Sequence, residues 1–211
     1  MKLAPIFIGL CLALGGCGNR QNNDSNTWDT ISLVPTKPQA PSLTQQDSIK
    51  AVGKQILQAL KHKDWQQFSL HFLPNSTVLF SPYGYIDKSK AKQLPAADFL
   101  MAIQKNWILT WGSFDGTGEP IQLTIPAYFE KFVYNADYLN AEKTGYDQVI
   151  GKGNSLVNLQ EAYPGLHFIE YHFTGFDPKY KGMDWTSLRL VFKKQSNQYF
   201  LVAVIHDQWT V

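Results

Sequence analysis

Between Ser48 and Leu60 the apolar residues Ile49, Val52, Ile56, Leu57 and Leu60 recur three or four positions apart, with Lys and Gln between them. That spacing predicts an amphipathic helix, with Thr44 or Asp47 as its cap. Asp64 is placed to cap a second, short helix carrying Trp65, Phe68 and Phe72, which Pro74 ends. Beyond it the period shortens. Residues 77–81 ("TVLFS") read as a strand and "PYGY" as a turn, while "KSKAK" at 88–92 reads as a solvated loop. Pro95 opens a helix over 95–105, and "WILTWGSF" and "PIQLTI" flank "DGTGE" as a hairpin. A helix follows over 126–134, then a shorter one over 155–165 that Asn154 or Ser155 would cap and Pro164-Gly165 would stop. Strands over 166–173, 186–194 and 198–209 finish the chain, the last two joined through "QSNQ".

Helices first and a mainly antiparallel sheet afterwards make the class α+β. The last strand is apolar on both sides, with Phe200, Val202 and Val204 expected on one and Leu201, Ala203 and Ile205 on the other. A sheet with one wet face alternates more cleanly, so both faces must be covered. The order of elements over 48–211 resembles the nuclear transport factor two-like fold, in which amphipathic helices pack on a curved, cone-like sheet. A cystatin-like sheet gripping one helix is the alternative.

The N-terminal texture is different again. Lys2 precedes an apolar run over 3–14 that is too short to span a bilayer, and Gly15 and Gly16 lead to Cys17. "LGGC" resembles the lipobox of bacterial lipoproteins. The resemblance implies a signal peptide over 1–16, a diacylglyceryl group of palmitate type on Cys17, and attachment to a membrane. Gly18 in place of Asp implies the outer membrane if the organism is Gram-negative. Residues 17–47 are rich in Asn, Gln, Ser, Thr and Pro without periodicity, and read as a tether spanning roughly 30 Å. Residues 48–211 are then one domain. Cys11 falls in the signal, so the mature chain has no second thiol for a disulfide or a nucleophile. A net charge of +2 without a dense basic block gives no reason to expect nucleic acid. The segments "WGSFDGTGEPI", "KFVYNADY", "IGKGNS", "FTGFDPKYKGMDWTSLRLVF" and "IHDQWT" resemble a family of cell-envelope proteins with no assigned activity. That likeness implies an envelope location and one domain.

Candidate chemistry is sparse. "IGKGNS" lacks the spacing of a phosphate loop, and "FDGTG" has the wrong order for an aspartic protease. Asp177 and Asp184 are weak candidates for a metal, in a glycine-containing loop with too few oxygen ligands. His62, His71, His167, His172 and His206 show no zinc spacing, and no cofactor is expected. On the strand 166–173, Glu170 and His172 share a face by period two, and Arg189 of the neighbouring strand can join them. His206 and Asp207, being adjacent, point to opposite faces. His206 is expected to share the pocket face with His172 or Arg189, and Asp207 to bond to backbone or a neighbouring strand. Tyr83 and Trp111 are candidate pocket aromatics. No catalytic set is complete, so the expected function is a lipid-anchored binding module for a small ligand, peptide or envelope protein. The alternatives are a metal-independent hydrolase or isomerase using Glu170, His172 and Arg189, and a structural envelope component assembling through the apolar sheet faces.

Overall fold

The computed structural model describes residues 44–154 and 156–210. The first amphipathic stripe is helix α1 (Gln45–Lys61). Its cap is Thr44, whose Oγ1 accepts a hydrogen bond from the Asp47 amide at 3.1 Å. The helix thus starts within the stretch expected as tether, because this cap makes 45–47 its first turn. Asp64 caps α2 (Trp65–Ser69) by accepting from the Gln67 amide at 3.0 Å. There follow β1 (Val78–Ser81), β2 (Lys92–Leu94), α3 (Ala96–Gln104), β3 (Leu109–Ser113), β4 (Pro120–Leu123) and α4 (Ile125–Phe132). Then come β5 (Lys143–Tyr146), α5 (Leu159–Ala162), β6 (His167–Phe173), β7 (Thr186–Gln195) and β8 (Gln198–Gln208), with single 3-10 turns at Tyr138–Asn140 and Pro178–Tyr180.

Six strands form one sheet in the order β2-β1-β8-β7-β6-β5, and β3 and β4 pair separately as a hairpin. Every neighbouring pair of the large sheet is antiparallel except β1 with β8, which is parallel. The class is α+β. The β7–β8 turn places Ser196 and Asn197 at φ 47° and 65°, the left-handed pair whose twist matches that of a two-residue hairpin.

Both faces of the sheet are covered by the chain itself. One side carries Phe80, Leu188, Leu190, Leu201 and Val204 against Ile49, Ile56, Phe99 and Phe129 of the helices. The other carries Leu79, Phe168, Val191, Ala203 and Ile205 against Ile86 and Leu159. The alternation expected along the last strand is corrected by a bulge. Val191 pairs with Ala203 but Phe192 with Leu201, so Val202 is an extra residue. Val202 therefore joins Ala203 and Ile205, while Leu201 joins Val204. The helix expected over 155–165 is only the single turn of α5, preceded by Asn158; Asn154 does not cap it, and Ser155 lies outside the described residues. Among the described residues no helix is long and apolar enough to cross a membrane.

Candidate functional site

Strand register decides which polar side chains meet. Glu170 is opposite Arg189, and His172 opposite Ser187. Ser187 in turn faces Asp207, while His206 faces Leu188. Directly opposed residues share a face, so Glu170, His172, Ser187, Arg189 and Asp207 project together. His206 projects to the other side, away from His172 and Arg189. The expectation for His206 is thus corrected, and Asp207 is the residue that joins the group.

The resulting network is closed. Arg189 Nε donates to Glu170 Oε2 at 2.8 Å, Nη1 to Asp207 Oδ2 at 2.9 Å, and Nη2 to the Gly151 carbonyl at 2.9 Å. Glu170 also receives the amides of Ile150 and Gly151, at 3.0 and 2.7 Å, and the Ser187 hydroxyl at 2.7 Å. Glu170, Arg189, Ser187 and Asp207 are all 0% exposed. Burial pushes the Asp207 carboxyl above its ordinary range, with Arg189 pulling the other way. Burial also works against the Arg189 charge, but Glu170 and Asp207 outweigh it and hold the guanidinium more firmly protonated than usual.

The proton directions within this set argue against nucleophilic catalysis. Ser187 has one hydroxyl proton and gives it to the Glu170 carboxylate. Its oxygen must therefore accept from His172 Nδ1–H, 2.8 Å away. A serine nucleophile needs the reverse, a histidine that accepts the hydroxyl proton. Burial also lowers the His172 pKa, with Glu170 opposing.

His206 anchors a second, separate network on the helical side of the sheet. Nδ1–H donates to the Pro82 carbonyl at 3.0 Å, and Nε2 accepts from Thr186 Oγ1 at 3.0 Å. Thr186 in turn meets the Tyr138 hydroxyl at 2.8 Å and Asn135 Nδ2 at 3.2 Å. Burial drives the His206 pKa down to about 4, so the ring is neutral and both nitrogens are satisfied.

Tyr83 and Trp111 line one cleft of about 350 Å³, apart from the buried network. Trp111 is fully buried at its base, stacks on Tyr128 at 3.8 Å and donates its indole N–H to the Leu123 carbonyl at 2.9 Å. Tyr83 is half-buried, and its hydroxyl accepts from the Asp115 amide at 3.2 Å. Asp177 accepts from the Lys179 amide at 3.0 Å, and Asp184 accepts from the amides of Phe176 and Asp177, both at 2.8 Å. These are turn-forming roles. Among the described residues no group of three or more His, Cys, Asp or Glu is placed to hold a metal. Cys17 lies outside the described residues.

A concavity of about 890 Å³ lies between Tyr85 and residues 147–153 and 156–161. Tyr85 and Leu156 line it and stand 53% and 77% exposed. Asn158 ties its two sides together, accepting from the Ile86 amide at 2.8 Å and donating to the Ile86 carbonyl at 3.1 Å. Sequence reasoning missed this groove. Its signal lay in the glycines: a Cβ on Gly84 would sit 2.5 Å from Asp207 Oδ2, and one on Gly151 would collide with Ser187 Oγ.

No family model and no curated protein matches the chain. Among solved structures it is similar to a designed NTF2-like chain, a substituted form of Rd1NTF2_05, at 10% identity and a TM-score of 0.32, over 77% of this chain and 99% of that one.

Proposed function

We propose that this chain is a lipid-anchored cell-envelope protein whose α+β domain is a non-catalytic binding module. The groove beside Tyr85 and Leu156 takes the ligand, peptide or envelope partner. The observation that carries this reading is the division of labour between buried and open groups. The titratable side chains at the centre of the sheet are closed on one another, whereas the open concavity sets Tyr85, Val149, Leu156 and Val157 among charged and amide side chains such as Lys152, Gln160 and Glu161. The proton wiring of Ser187 and His172 favours this over a hydrolase or isomerase. The covering of both sheet faces favours it over assembly through those faces. We take the sheet to curve in the cone-like manner of nuclear transport factor two-like domains, with Cys17 supplying the acyl anchor. In a Gram-negative host this reading places the protein at the outer membrane.

The detergent-solubilised full-length chain is immobilised and incubated with envelope extract, beside a Tyr85→Ser/Leu156→Asn variant. Material retained by the first and lost from the second supports the reading; equal retention, or none, sinks it. In parallel, Cys17→Ser should abolish radioactive palmitate labelling, and labelling that persists would refute the anchor.

A further inference from the structure

We infer that Glu170, Arg189 and Asp207 are the positioning residues of the groove, a buried triad that fixes the backbone of both its walls. The inference rests on the binding role proposed for that groove. One wall, made by residues 148–154 and 156–157, lies between β5 and α5, and these described residues have no regular secondary structure. Among the described residues its hydrogen bonds all run to this triad: the amides of Ile150 and Gly151 into Glu170, and the Gly151 carbonyl from Arg189. The other wall carries Tyr85, and the preceding Gly84 lies so close to Asp207 Oδ2 that a Cβ there would approach it to 2.5 Å. Arg189 holds both carboxylates at once, so the position of one wall is set relative to the other.

Charge is an expensive way to fill this space. Two carboxylates and one guanidinium are removed from water on a face they share with Ser187 and His172 and with the apolar Phe168, Val191, Ala203 and Ile205. Apolar residues of similar volume often pack such a site as stably or better. What they cannot do is satisfy two inward-pointing amides and a carbonyl of an irregular segment, each costly to bury unpaired. The triad therefore specifies geometry that hydrophobic packing would leave undefined.

The test uses the full-length chain in detergent, with the double variant Glu170→Met/Arg189→Met and the milder Asp207→Asn. Native-state hydrogen exchange is followed at Ile150 and Gly151 and at amides of β7 and β8. In the double variant, exchange at Ile150 and Gly151 should rise at least about tenfold more than in the sheet, the signature of a local opening. If the double variant does not fold, Asp207→Asn carries the test through 19F spectra of fluorotyrosine-labelled protein. The resonance assigned to Tyr85 by its loss in Tyr85→Phe should shift more than that of Tyr199. Exchange that changes in step across wall and sheet, or a Tyr85 resonance that does not move, overturns the inference. Retention of envelope material is scored separately on the wild-type chain. Its absence would sink the binding role while leaving the exchange result to decide the positioning of the walls.

Discussion

His206 makes the stability of this domain depend on pH in a calculable way. The ring is 0% exposed and donates Nδ1–H to a backbone carbonyl, while Nε2 accepts from Thr186. A proton on Nε2 would have to displace that hydrogen bond in a site shut off from solvent. Relative to the ordinary 6.5, the folded-state pKa of about 4 is depressed. On acidification the unfolded chain therefore takes up the proton first. The stabilisation is fully present above about pH 6.5 and is lost as pH falls toward about 4, a total of roughly 3 kcal/mol. Other groups titrate as well: His172 is shifted in the same direction, and Asp207 upward. The clean measurement is therefore a difference. Wild type and His206→Gln are unfolded in urea at intervals from about pH 7.5 to about pH 4.5. Gln keeps part of the hydrogen bonding, so the variant should be less stable by about 1–3 kcal/mol at the upper end. That gap should narrow steadily below about pH 6.5, because only the wild type pays for the unfolded-state proton at this position. A gap that stays constant or widens over that range would show that His206 is not held neutral by burial.

Two further perturbations follow from particular contacts. Gly84→Ala should cost about 1–3 kcal/mol by overpacking against Asp207 Oδ2, and much less in an Asp207→Ala background; equal costs in the two backgrounds, measured by urea unfolding, would show that the close approach is not what constrains Gly84. Thr44→Ala should lower stability by about 1 kcal/mol, and deleting residues 18–47 should lower it more than deleting 18–43, since only the longer deletion removes the cap and first turn of α1; equal melting temperatures for the two deletions would refute the boundary.

Local periodicity and capping chemistry made much of the framework legible. The stripe from Ile49 to Leu60 named α1, Asp64 was named as a cap and Thr44 as one of two for α1, and the alternation in "LHFIEYHF" placed Glu170 and His172 on one face. Opposite directions for His206 and Asp207 were also legible, because successive strand residues alternate. The strands β2 ("KQL") and β5 ("KTGY") were not, since they carry little apolar alternation and exist as edges of a sheet built by other strands. The bulge at Val202 was equally silent, as it is a mismatch between two strands rather than a property of one.

The sequence by itself therefore determined which residues can share a face within each element, and it drew Glu170, His172 and Arg189 into one group. Only the tertiary structure decided that Asp207, not His206, completes that group, because membership depends on Ser187 pairing with Asp207 across β7 and β8. Only it decided that the group is sealed rather than open. The seal is the backbone of Ile150 and Gly151, about twenty residues from Glu170 along the chain, brought close because Gly151 has no side chain to collide with Ser187. Side-chain period is written locally, whereas register and the close approach of distant backbone are set by the packing of the whole sheet.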